Sequence, residues 1–254
     1  MNKEHTEKEL NKYQLRNIEI LTHLLKYDAV TDEVVELLRQ SELDYFSLLD
    51  KNKLLEKKIN IDDKTNLLKF SNHYLTNIIK TASRIYFGIK FMEYHISFIR
   101  FDIDDFSNFN NKYGHELGDL VLIGIANIIK ENSRPTDYVI RYGGEEFDVI
   151  LPSTDPEGSL VYIKNIFEKI NTFRVKYDNL ELKVTVSAGI STLLYTFFDT
   201  KIKDEKEIEQ LYKDLQIKAD NALYEAKYLG KNRFCVYSDE KKSEYVKIRK
   251  LYFK

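Results

Sequence analysis

Two acidic clusters sit at the ends of apolar runs. Asp102-Ile103-Asp104-Asp105 follows Ile96-Ser97-Phe98-Ile99-Arg100-Phe101. Glu145-Glu146 follows Gly143-Gly144, between Tyr138-Val139-Ile140 and Val149-Ile150-Leu151. Adjacent glycines between strand-like runs predict a hairpin turn, and glycine lets a backbone approach a ligand closely. Carboxylates at a turn tip and at the end of a hydrophobic strand suit a hard cation. Mg2+ takes one or two carboxylates together with substrate phosphates, so a nucleoside triphosphate is the matching ligand. The plainer alternatives are a solvated acidic hairpin and aspartates that cap the next helix. In an extended chain Asp102 and Asp104 point to one side. Asp104 or Asp105 suits a helix cap. Asp102, still inside its strand, suits a metal, and a hairpin pairing with that strand brings Glu145 within reach.

Alternating helices and strands must position these groups. The pattern predicts a helix over 71–90, a strand over 96–102, and a helix over 116–131 with Leu120, Ile123, Ile125, Ala126 and Ile129 inward. A hairpin over 138–151, a helix over 156–172, a strand over 182–190, a helix over 207–228 and a strand over 233–237 follow. Thr192 to Lys206 reads as a surface insertion, and Asp239 to Lys254 as a charged, peripheral tail. This order predicts an α/β (α+β) sandwich around a mixed, partly antiparallel sheet. Residues 1–60 contain no glycine or proline and are rich in Leu, Glu and Lys. Leu10, Leu15, Ile18, Leu21, Leu24 and Leu25 fit one helical face. Thr31 or Asp32 can cap a second helix after a break near 27–31. Val34, Val35, Leu38, Leu48, Leu49, Leu55 and Ile59 continue at helical spacing without a strict heptad. Such a segment either dimerises or packs on its own catalytic domain.

Larger motifs surround both clusters. Phe101-Asp102-Ile103-Asp104-Asp105-Phe106, Asn110 to Asp119 and Arg141-Tyr142-Gly143-Gly144-Glu145-Glu146-Phe147 occur in order. Val186 to Ile190 and Ala219 to Lys227 follow them. Together they resemble the signature of the GGDEF-domain diguanylate cyclases, over residues 60 to 238. The resemblance implies a fold similar to the palm of nucleotidyl cyclases and polymerases, with a helical segment at 1–60, a catalytic domain at 61–238 and a tail at 239–254. It implies condensation of two GTP into cyclic di-GMP with release of pyrophosphate, at a site shared by two copies of the chain. It implies that Asp102, the Ile103 carbonyl, Glu145 and Glu146 serve Mg2+, with Mn2+ as the alternative ion. Glu145 and Glu146 are then the catalytic carboxylates, and the proton acceptor is Glu145 or a water molecule. Asn110, His115, Asp119, Gly143, Gly144, Lys227 and Lys231 contact substrate: Asn110 and Asp119 the guanine, Lys227 and Lys231 the phosphates. Arg134 and Asp137 match the family's product-inhibition site.

The chain also departs from the pattern. In the opening motif Asp62-Asp63-Lys64-Thr65-Asn66-Leu67-Leu68-Lys69, Asp62, Thr65 and Leu67 match, whereas Lys64, Asn66 and Lys69 do not. Asn tolerates positive φ, so a turn can survive at Asn66. Lys231 replaces a customary Arg and loses its bidentate fork. Ser107 replaces a customary Lys. A second reading is therefore a catalytically weak protein that binds cyclic di-GMP at Arg134 and Asp137 and signals through its N-terminal helices.

Composition fits a soluble enzyme. The chain has 254 residues, 43% of them hydrophobic, enough for a domain with a real core and an extra module. A net charge of −2 gives no electrostatic ground for nucleic acid or anionic membrane. The single cysteine, Cys235, has no internal disulfide partner and reads as a small buried hydrophobe. No apolar run is long enough to span a bilayer and the N-terminus lacks a signal-peptide core, which together point to the cytoplasm.

Overall fold

The structure, a computed structural model, describes residues 17–27, 31–86, 91–177, 180–198 and 203–252. The chain divides into two compact units, Met1–Ile59 and Asn60–Lys254. Among its described residues the first holds two helices, α1 over 17–25 and α2, Asp32–Asn60. Thr31 caps α2, its Oγ1 accepting from Val34 N at 3.3 Å, and Asp32 and Glu33 add negative charge to the first turn. Leu10, Leu15 and residues 28–30 of the expected break lie outside the described residues, as do the side chains of Leu49, Leu55 and Ile59. Ile18, Leu25, Val35 and Leu48 are exposed.

The second unit is a three-layer sandwich. Its central sheet has the order β1-β3-β4-β2-β7-β8. The strands are β1 (Leu68–Lys69), β2 (Phe91–Ile103), β3 (Tyr138–Gly143), β4 (Glu146–Pro152), β7 (Val186–Phe198) and β8 (Phe234–Val236). The edge pairs β1–β3 and β7–β8 are parallel, and the inner pairs are antiparallel. Strands β5 (Val175–Tyr177) and β6 (Leu180–Leu182) form a separate ribbon.

Period-two alternation along β2 divides the core. Ile99, Phe101 and Ile103 face helices α5 (His115–Glu131) and α6 (Pro156–Thr172). Tyr94, Ile96 and Phe98 join the cluster built with α3 (Tyr74–Ile85) and α7 (Glu205–Tyr228). The short helix α4 (Phe106–Tyr113) lies between the end of β2 and α5.

Several elements differ from expectation. β2 begins at Phe91, because Phe91 to Ser97 pair with Thr192 to Phe198. The stretch from Thr192 is therefore not a surface insertion but the second half of β7, held by that ladder and by the burial of Tyr195 and Phe197. Residues 199–202 lie outside the described set. Leu120 is exposed rather than inward, and Leu117, Val121 and Leu122 fill that face of α5 instead. The charged tail forms α8 (Lys242–Tyr252). Tyr245 and Ile248 are buried, Tyr245 stacks on Tyr237, and Arg249 pairs with Asp220 of α7. Among the described residues no helix is long and apolar enough to cross a membrane.

Candidate active site

The Gly-Gly hairpin joins β3 to β4. Gly144 has φ +51°, a conformation that favours glycine. Arg141 fixes the tip from below: its Nη2 and Nε donate to Gly144 O at 2.9 and 3.2 Å, and its Nη1 donates to Asp62 Oδ1 at 3.0 Å. The opening motif is thereby tied to the hairpin. Burial works against ionised Asp62, but hydrogen bonds from Thr65 and Arg141 outweigh it and hold the carboxyl below its ordinary range. Asn66 has φ +57°, so the turn survives without the customary glycine.

Pairing of β2 with β4 brings the two acidic clusters together. Asp102 lies opposite Glu146, and Ile103 N donates to Glu145 O at 3.3 Å. Burial raises the Asp102 carboxyl above its usual range, with Glu145 and Asp104 adding to the effect, and Lys227 opposes it from 2.8 Å. Burial also raises Glu146. Asp102, Ile103, Glu145, Lys227 and Lys231 line one cavity of about 250 Å³, with Ser107 at its wall.

Neither neighbouring aspartate caps α4 through its side chain. Asp104 stays on the side of Asp102, as the extended chain predicts, and lines the same cavity. It accepts from Thr185 Oγ1 and Ser187 Oγ, both at 2.7 Å, and from Asn232 N at 3.0 Å. Asp104 thus ties β2 to β7 and to the loop after α7. Asp105 occupies the N-cap position with φ +56° but makes no capping bond; its Oδ1 pairs with Lys231 Nζ at 2.5 Å.

The donor set fits a hard cation. Asp102, Glu145 and the Ile103 carbonyl are all oxygen donors, and an ammonium already rests on Asp102. Among the described residues no three carboxylate, imidazole or thiolate groups converge on one point. An ion here would take the rest of its shell from water and phosphate, as Mg2+ commonly does.

The remaining expected residues lie apart from this cavity. Asn110 lies within α4, its carbonyl accepting from the C-cap Gly114 N, and its Oδ1 is buried without a partner. Asp119 on α5 forms an ion pair with Lys64 of the opening motif. His115 is exposed in the first turn of α5. Arg134 and Asp137 precede β3, at the end of the sheet opposite the Gly-Gly tip. Asp137 Oδ2 accepts from Arg134 N at 2.7 Å, Oδ1 is buried without a partner, and burial raises the carboxyl.

Sequence reasoning overlooked a buried charge cluster beside the site. Arg100 donates to both carboxylate oxygens of Asp148 at 2.8 Å, and Asp148 is fully buried. The guanidinium lies 4.0 Å from the Tyr142 ring centre and 3.8 Å from Asp220. Arg100 and Asp148 are charges inside otherwise apolar strands, on the face that carries Asp102. That was the available signal.

Residues 60–233 match the family described as diguanylate cyclase, GGDEF domain. The chain belongs to the GGDEF family. Its domain shares a fold with the coiled coil and GGDEF domain of DgcB from Caulobacter crescentus, crystallised with c-di-GMP. The TM-score is 0.66 at 22% identity, over 81% of this chain and 100% of that one. The GGDEF domain of DgcB alone, also with c-di-GMP, gives 0.57 at 26% identity over 70% and 95%. Diguanylate cyclase A of Treponema denticola is 38% identical over 138 residues, 54% of this chain and 34% of that protein. The uncharacterized protein YtrP of Bacillus subtilis is 35% identical over 188 residues, 74% and 28%. The GGDEF chain thus spans about a third or less of the length of these curated relatives.

Proposed function

We propose that this GGDEF domain condenses two GTP molecules into cyclic di-GMP with release of pyrophosphate. The observation that carries the reading is the convergence of Asp102, Glu145, Lys227 and Lys231 on one cavity beside the Gly-Gly tip. A cavity of about 250 Å³ suits phosphates and an ion rather than a whole nucleotide, since sites for drug-sized ligands run from roughly 300 Å³ upward. The base would lie beyond it, toward Asn110 and Asp119.

Each 3′-hydroxyl attacks the α-phosphate of the other GTP. A new oxygen–phosphorus bond forms, the bond to the β-phosphate bridging oxygen breaks, and pyrophosphate leaves. Asp102, the Ile103 carbonyl and Glu145 would hold Mg2+, with Glu146 supporting them. The ion supplies charge neutralisation and polarises the reacting phosphate. Lys227 and Lys231 would turn from Asp102 and Asp105 to the phosphate oxygens. The hydroxyl proton passes to Glu145 or to water.

A product with two equivalent halves calls for two facing copies of the site, so the working form is a homodimer. Exposed Val35, Leu37, Leu43 and Leu48 on α2 support self-association through the N-terminal helices. Arg134 and Asp137 line one pocket and would bind product there and damp turnover, the carboxylate accepting from guanine N–H groups.

The second reading, a cyclic di-GMP-binding signalling module with weak catalysis, draws on Ser107 and the altered opening motif. Glu145→Ala separates the two. Loss of synthesis with cyclic di-GMP binding retained is expected for the cyclase. A wild type that binds cyclic di-GMP and makes none, with the variant indistinguishable from it, would favour the module.

A further inference from the structure

Lys64 stands in a rigid turn. Asp62 Oδ1 accepts from Thr65 N at 2.8 Å and from Thr65 Oγ1 at 2.7 Å. Asn66 N donates to Asp62 O, and Asp62 N to Leu67 O, both at 2.8 Å. Thr65 and Leu67, which follow it, are buried, and Arg141 ties Asp62 to the hairpin. From this fixed backbone the Lys64 side chain reaches out to the Asp119 carboxylate, 55 residues away in sequence. Both side chains are 40% exposed. An ion pair so open to water contributes little to stability, so holding the fold together does not account for it.

The surroundings point to a ligand. Next to Asp119, Gly118 leaves room for Asn110: a Cβ there would come within 1.8 Å of Asn110 Oδ1. That oxygen is buried and has no partner. A fixed ammonium, a carboxylate and an orphaned amide oxygen therefore occur where the opening motif meets α4 and α5.

We propose that Lys64 is a specificity-determining residue that reads the base together with Asp119. The proposal rests on the guanine-nucleotide reading above. The pairing edge of guanine presents an acceptor at O6, then donors at N1–H and N2–H₂. A carboxylate matches the two donors and an ammonium matches O6. Adenine presents a donor at N6 and an acceptor at N1. Lys64 would meet the amino group and Asp119 the N1 lone pair, so both contacts become mismatches. An ammonium carries three N–H groups, so Lys64 can stay on Asp119 while donating to O6. The residue is one of this chain's departures from the family pattern, and it adds a polar contact for O6 that no other expected base-contacting residue supplies as a cation.

The test is calorimetric binding of 3′-deoxy-GTP and 3′-deoxy-ATP with Mg2+ to wild type, Lys64→Met and Lys64→Arg. Neither nucleotide has the attacking hydroxyl, so turnover does not intrude. Expected is a preference for guanine in the wild type that falls about tenfold in Lys64→Met, one good base contact being worth at least that, and is largely kept in Lys64→Arg. Tighter binding of both nucleotides to Lys64→Met, with the preference unchanged, would make the lysine a plug that any base displaces and overturn the proposal. An unchanged preference with unchanged affinity would overturn it as well. A wild type that binds neither nucleotide would overturn the guanine-nucleotide reading itself, a result distinct from either.

Discussion

Lys227 Nζ lies 2.8 Å from Asp102 Oδ2, so an ammonium from the last turn of α7 rests on the carboxylate near the end of β2. The contact partly offsets the burial of the acid. On the proposed reading Lys227 turns from Asp102 to the phosphates of GTP, both lysine and carboxylate lining the one cavity. Lys227→Met should lower GTP conversion at subsaturating GTP by about ten- to hundredfold, the loss of one charge-assisted bond of roughly 1.5–3 kcal/mol. Steady-state pyrophosphate release should show KM rising more than kcat falls.

Glu146 is half-buried, and burial raises its carboxyl above the ordinary value of 4.5. The folded chain then binds this proton more tightly than the unfolded chain does. The stability from this group is complete below 4.5 and is lost as pH rises through the folded value. At neutral pH the ionised carboxylate costs stability, so Glu146→Gln should raise the melting temperature while lowering activity. Thermal scans should show the gain at pH 7 and its disappearance as pH approaches 4.5.

Arg100 and Asp148 form a buried bidentate pair. Asp148→Asn removes the bidentate partner, leaving the guanidinium only Asp220 at 3.8 Å, and should cost about 3 kcal/mol in denaturant unfolding. The double change Arg100→Met with Asp148→Leu removes both charges and should recover most of that loss.

The hairpin and the end of β2 were legible because local chemistry announces them: Gly-Gly between apolar runs, and aspartates directly after a hydrophobic strand. What sequence distance concealed was pairing. Phe91 to Ser97 become strand only by meeting Thr192 to Phe198, and neither stretch carries turn signals that reveal its partner. Asp104 looked like a helix cap, yet its ligands, Thr185, Ser187 and Asn232, come from elements far along the chain. α8 was hidden by its charge density, since Tyr245 and Ile248 acquire a buried face only against the rest of the domain. Lys64 stood out as a departure from the family pattern, but its partner Asp119 became visible only in three dimensions.

Arg134 and Asp137 lie at the far end of β3 from the Gly-Gly tip, a separation of about 20 Å for a strand of this length. Changes there should act on regulation and not on chemistry. Arg134→Ala should weaken cyclic di-GMP binding by about tenfold or more, through loss of a charge-assisted contact, and should leave the initial rate of synthesis near wild type. Progress curves with added product report both quantities.

The most direct measurement is incubation of the purified protein with GTP and Mg2+ over a range of protein concentrations, with nucleotides resolved by chromatography. Expected are cyclic di-GMP and pyrophosphate, with a rate that rises more steeply than linearly with protein until the dimer is saturated. Absence of product at every concentration, with cyclic di-GMP still bound tightly, would contradict the cyclase and leave a binding module.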